Sequence, residues 1–146
     1  MKPMIVIAGA ALALAACGPG ARVDREGKVT LTGADGTVIT ASKQAPDNLP
    51  FFARPYRGAE VTSAVVMGDK VAIVTYTVAA PPETVMAFHK TTAADAKLDI
   101  IQDSWGAVER SGSHVISFRD EAGRSGYTVT VQPISGKTQV TLLYGR

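Results

Sequence analysis

Residues 61–78 read VTSAVVMGDKVAIVTYTV, and residues 79–97 continue AAPPETVMAFHKTTAADAK. The first block is two β-branched runs, Val61–Met67 and Val71–Val78, parted by Gly68-Asp69, a two-residue hairpin signal. Val71-Ala72-Ile73-Val74 is apolar at successive positions, so both faces want cover and the run reads as a central strand. Pro81-Pro82-Glu83 then opens a helix: proline is tolerated in a first turn, and an early acid suits the helix dipole. Val85, Phe88 and Thr92 fall at helical spacing with Ala96 beyond, which predicts a helix laid on a sheet by one face and ending near Lys97.

Downstream, Leu98–Asp103 reads as a strand, and Ser113–Arg119 alternates with His114, Ile116 and Phe118 on one face. Tyr127, Val129 and Val131 share a face of the next strand, Val140, Leu142 and Tyr144 share one of the last, and Ser135-Gly136 turns between them. Short turns join antiparallel neighbours, so the expected class is α+β: a single antiparallel sheet of about six strands, in the order ββαββββ, covered by one helix. Upstream, Lys28–Ala41 carries two Thr/Val-rich runs around Asp35-Gly36, an additional N-terminal β-hairpin. It is weakly apolar and would be marginal alone. Residues 42–60 hold Pro46, Pro50 and Pro55 and read as a long connection. The expected organisation is a leader at 1–16, a tether at 17–27, the hairpin at 28–45 and the α+β domain at 46–146.

Over 146 residues the hydrophobic share is 46% and the formal charge +2. Thirteen of the first 16 residues belong to the hydrophobic set, and without that segment the share falls to about 42%. Lys2 goes with it, so the remainder carries 14 basic and 13 acidic side chains. That balance fits one ordinary globular domain and lacks the basic excess that nucleic-acid binding through phosphate neutralisation requires. Met1-Lys2-Pro3 is a short positive start, and the apolar run Met4–Ala16 spans about 20 Å as a helix, too short for a hydrocarbon core of about 30 Å. It has the proportions of a secretory signal peptide.

Leu14-Ala15-Ala16-Cys17 resembles the lipobox of bacterial lipoproteins. The resemblance implies that the Cys17 thiol receives a diacylglycerol, that the signal is cut before Cys17, and that the new amino group is acylated. Cys17 is the single cysteine, so no disulfide competes for it. Several acyl chains would make the anchorage effectively permanent. The residue that follows, Gly18, is not the Asp that retains lipoproteins of Gram-negative bacteria in the inner membrane. The implied location is the outer membrane, with the domain facing the periplasm.

Tyr56-Arg57-Gly58-Ala59-Glu60-Val61, followed by hairpin, helix and further strands, resembles small extracytoplasmic modules of bacteria, often lipoproteins, with a Tyr-Pro-Gly-Ala-x-Val start. Their helix carries Val-x-x-Phe-Tyr; here Val85-Met86-Ala87-Phe88 matches, His89 replaces the Tyr and Arg57 replaces the Pro. The similarity covers about residues 49–145 and implies a fold and no activity.

Chemistry is sparse. The only histidines are His89 on the expected helix and His114 on a strand, there is no Gly-x-Ser-x-Gly elbow, and lipid would consume Cys17, so no catalytic residue is assigned. A metal site wants three or four converging ligands, and no such spacing occurs, although His89 and His114 could meet where the helix crosses the sheet, with Asp99 or Asp103 beside them. No cofactor is expected. Phe51, Phe52, Arg54, Tyr56 and Arg57 interleave aromatics with cations, a pattern that binds anions or sugars or docks a partner, and Trp105 beside Gly106 is a further contact candidate. The plainer reading makes Phe51 and Phe52 a plug of the core and Trp105 a core cap. The function expected is therefore non-catalytic: a membrane-anchored envelope lipoprotein that contacts an envelope protein. The contact would be made through the Phe51–Arg57 loop, or through the sheet face opposite the helix, which Thr62, Thr75, Thr77, Thr128, Thr130 and Thr141 make polar. A small-molecule or glycan-binding module using the same loop and Trp105 is the alternative, and an unrecognised enzyme a further one.

Overall fold

The computed structural model describes residues 20–105 and 112–145. Nine strands and one α-helix make up its regular structure: β1 (Ala21–Val23), β2 (Val29–Thr32), β3 (Val38–Ser42), β4 (Glu60–Met67), β5 (Val71–Val78), α1 (Pro82–Asp95), β6 (Asp99–Trp105), β7 (His114–Arg119), β8 (Gly126–Ile134) and β9 (Lys137–Gly145). All nine strands belong to one antiparallel sheet in the order β1-β2-β3-β4-β5-β9-β8-β7-β6.

This corrects the expectation of about six strands in the order ββαββββ with a separate hairpin. The hairpin β2–β3 is part of the same sheet, because β3 pairs with β4 through Ile39↔Met67 to Ser42↔Ala64. Ala21–Val23, expected in the tether, pairs with β2 as an edge strand. A strand three residues long shows no periodicity of its own, and what fixes it is the row of unpaired groups that β2 offers. The hairpin likewise gains the support it lacks alone by extending a sheet that is already formed. The turn between β4 and β5 holds three residues rather than two, since Met67 pairs with Val71. Trp105, beyond the strand expected at Leu98–Asp103, is the last residue of β6; its backbone pairs with His114.

From β5 the chain crosses the sheet as α1 and enters β6 at the far edge. It then meanders back through β7 and β8 until β9 closes on β5. That path puts the helix over the β5–β9–β8–β7 side. Tyr76, Val74, Ile116, Phe118, Tyr127, Val129, Val131, Val140 and Leu142 point to this side and are buried. The helix contributes Val85, Met86, His89 and Ala93. The buried stripe is centred on Val85, His89 and Ala93: it shares Val85 with the expected stripe and takes His89 and Ala93 in place of Phe88 and Thr92. Phe88 is instead drawn sideways onto Tyr56, ring centroids 5.1 Å apart.

The ends of α1 follow from local chemistry. Pro82 and Glu83 occupy the first turn. At the other end the Leu98 N–H donates to the Ala93 carbonyl and the Lys97 N–H to that of Ala94, while Lys97 takes φ +56°, a Schellman-type stop. Among the described residues no helix is long and apolar enough to cross a membrane.

Candidate functional site

Among the described residues α1 covers one side of the sheet and no element covers the other, which is built from the alternate residues of every strand. In its centre lies a polar row in which Ser63, Thr75, Thr141, Thr130 and Val115 are in register across five strands. The Thr75 and Thr141 hydroxyls stand 3.5 Å apart, and the Ser117 and Thr128 hydroxyls 2.9 Å apart. Thr62 sits at a register shift in β4 and its hydroxyl donates to the Thr75 carbonyl. Towards β6 a groove of about 400 Å³ opens on this side, with Ser117, Thr128, Arg119 and Arg124 on its polar walls and Val71, Leu143 and Ile101 on its apolar ones.

Towards the N-terminal edge the same side turns apolar. Val23, Val29, Ala41, Val65, Ile73 and Leu143 stand in register in one row. Ala21, Leu31, Ile39, Met67 and Val71 form the next. On β1–β3 the opposite side, which in β4–β9 carries the core, holds Arg22, Thr30, Thr32, Thr40 and Ser42, with Val38 the one large apolar residue. The alternation thus reverses phase relative to the core strands.

The Phe51–Arg57 segment splits into two sets. Phe51–Ala53 form a 3₁₀ turn; Ala53 is fully buried, and Phe52 lies 5.5 Å from Tyr127 and 6.1 Å from Tyr144 by ring centroids. Tyr56 packs on Phe88. Phe51 remains 53% exposed, edge-on to Phe52, and Arg54 and Arg57 are exposed. The structure therefore turns Phe52 and Tyr56 inward and leaves one ring and two cations outside. Cys17 lies outside the described residues, and of Trp105 only the backbone is described.

The two histidines fall into different groups. His89 is fully buried, its Nε2 2.9 Å from the Tyr76 hydroxyl, while the Tyr127 hydroxyl donates to the His89 carbonyl at 3.0 Å. Among the described residues His89 Nδ1 has no hydrogen-bond partner. Burial pushes the imidazole pKa down to about 4, so it is neutral at pH 7, and burial raises the Tyr76 hydroxyl above its ordinary value and that of Tyr127 to about 12. Nothing in the spacing of the sequence singles out this trio. The one signal is that His89 lies four residues from both Val85 and Ala93, on the buried stripe.

His114 instead holds Asp103 through Nε2, and Lys90 Nζ reaches the other carboxylate oxygen at 3.0 Å, joining β7, β6 and α1. Both contacts, that from His114 first, hold the Asp103 carboxyl below the usual carboxylate range. A cleft of about 230 Å³ lies beside them, lined by Pro82, Glu83, Met86, Ala87, Lys90 and His114. Asp99 is exposed at the start of β6, opposite Arg119. Among the described residues no group of three or more His, Cys, Asp or Glu side chains is placed to hold a metal ion. No protein-family model, no curated protein and no solved structure matches the chain.

Proposed function

We propose that the chain is a non-catalytic lipoprotein of the cell envelope, anchored through Cys17 to the outer membrane. Its domain faces the periplasm and serves as a protein-contact module. The observation that supports this reading is that, among the described residues, α1 covers one face of the sheet and the half-buried polar row through Thr75, Thr141 and Thr130 lies on the face it does not cover. A row of β-prone hydroxyl residues held rigid by flanking strands presents a pre-organised surface, which keeps the ordering cost of association low. The anchor supplies the rest by confining the domain to the membrane, where a modest affinity suffices.

One feature weighs against a catalytic role for His89: it is sealed in the core. The small-molecule or glycan reading through the Phe51–Arg57 loop loses weight because Phe52 and Tyr56 are committed to the core. The test is a photo-crosslinking amino acid placed at Thr130 or Thr141 in the lipidated protein in cells, with Thr91 on the outer side of α1 as control. A discrete protein adduct at 130 or 141 and none at 91 is expected. The same background at all three positions overturns the reading.

A further inference from the structure

The reversed alternation of β1–β3 is a specific demand on the surroundings. Side-chain period in a strand is two, so shifting the pairing by one residue would have brought these apolar residues to the helix side. The register instead holds them on the side that α1 does not cover. There Val23 is 70% exposed, Leu31 46%, Leu143 45% and Met67 37%. Together the two apolar rows span six adjacent strands, roughly 24 Å at about 4.8 Å per strand. Contiguous apolar surface on this scale marks a contact site.

What covers it follows from the chain that precedes it. Cys17 stands four residues before Ala21, the first residue of the apolar rows, and four residues reach about 14 Å at most. A lipid anchor at Cys17 therefore holds the N-terminal edge of the sheet within that distance of the bilayer. A single helix is already about 10–12 Å across, so the space between the anchor and this edge is too narrow for a folded domain. Lipid is the apolar phase that reaches there.

We infer that the apolar rows of β1–β3, continued by Met67 and Val71, seat on the lipid surface in which Cys17 is anchored. This rests on the anchored reading above and assigns the other end of the same sheet face. The right-handed twist of about 20–25° per strand turns β8 and β7 away from the plane in which β1–β3 lie, leaving the threonine rows free for a protein partner. The lipid contact fixes the orientation of the domain on the membrane and needs no new segment of chain.

The test uses the lipidated full chain in vesicles of phosphatidylethanolamine and phosphatidylglycerol. Leu31→Cys and, separately, Thr130→Cys carry an environment-sensitive fluorophore; acylated Cys17 does not react. Lipids brominated along their acyl chains are the quencher. An interfacial apolar face enters the headgroup–acyl boundary by about 5–10 Å, so about twofold quenching is expected at residue 31 and none at residue 130. Val23→Cys, at the most exposed position, repeats the measurement should Leu31→Cys misfold. Equal quenching at 31 and 130 in a chain that floats with the vesicles and carries acyl groups by mass spectrometry overturns this inference alone. A chain without acyl groups on Cys17 overturns it together with the anchored reading. Crosslinks from residue 31 to a second copy or to another protein, in place of quenching, overturn it as well.

Discussion

His89 shows what one side chain can do to the pH response of a small sheet. Its imidazole is fully buried and its pKa is pushed down to about 4, whereas the unfolded chain titrates near the ordinary 6.5. Between these values the unfolded state binds the extra proton, so stability rises with pH. The contribution is fully present above pH 6.5 and is lost as pH falls towards 4, where the loss reaches about 3 kcal/mol at 1.36 kcal/mol per pKa unit. Denaturant melts of the protein and of His89→Gln at pH 7 and pH 4.5 check this: the pH slope of the wild type should exceed that of the variant. Tyr76→Phe removes the hydroxyl facing His89 Nε2 and leaves a ring whose Nδ1 already lacks a partner, so a cost of about 1–3 kcal/mol at pH 7 is expected. An unchanged midpoint would mean that the contact carries no net stability. Gly126 has a different constraint: a Cβ there would lie 2.5 Å from the Phe118 carbonyl oxygen on the neighbouring strand.

The elements carry their own local mismatches, and these are measurable. Lys97 closes α1 at φ +56°, in the left-handed region where a side chain costs about 1 kcal/mol or more relative to glycine. Lys97→Gly is expected to raise the melting midpoint, by about 0.5–1 kcal/mol of stability, and a fall would mean that the Lys97 side chain makes a compensating contact. The β8–β9 turn has positive φ at both Ser135 and Gly136, between the paired Ile134 and Lys137, which is the geometry of a type I′ turn. Asn is favoured at the first of these positions, so Ser135→Asn should also stabilise, by a few tenths of a kcal/mol. The sequence announces this turn through its Ser-Gly pair. It does not announce the rotation of the α1 stripe, because Phe88 is far more apolar than His89 and draws the expected face to itself. The neighbours decide: Phe52 takes the space beside Tyr127, and Phe88 turns to Tyr56.

Across the whole molecule stability should be graded from the centre of the sheet outwards. Strands β5 and β9 have partners on both sides and a helix over one face, whereas β1 has three exposed residues and, among the described residues, a single neighbour. Native-state hydrogen exchange is expected to protect the amides of β5, β8 and β9 to nearly the global unfolding free energy, and those of β1 far less. Equal protection throughout would mean that β1–β3 fold as one cooperative unit with the rest. Binding to vesicles should raise protection in β1–β3 selectively if their apolar side lies on lipid.

The sequence by itself determined the strands with a covered side, because Tyr127, Val129 and Val131, or Val140 and Leu142, repeat at a period of two and that signal is local. It also determined the helix start at Pro82-Glu83 and the Leu-Ala-Ala-Cys motif whose chemistry the proposal relies on. Only the tertiary structure decided that nine strands make one sheet. Pairing is a long-range choice made by unsatisfied backbone groups, and β1 has too few residues to show a pattern. The same is true of the His89–Tyr76–Tyr127 trio, in which the two tyrosines approach from strands 13 and 38 residues from the helix position. The phase of β1–β3 belongs there too: Val29, Leu31, Ile39 and Ala41 spell out an apolar face in the sequence, but which way that face points depends on the register with β4.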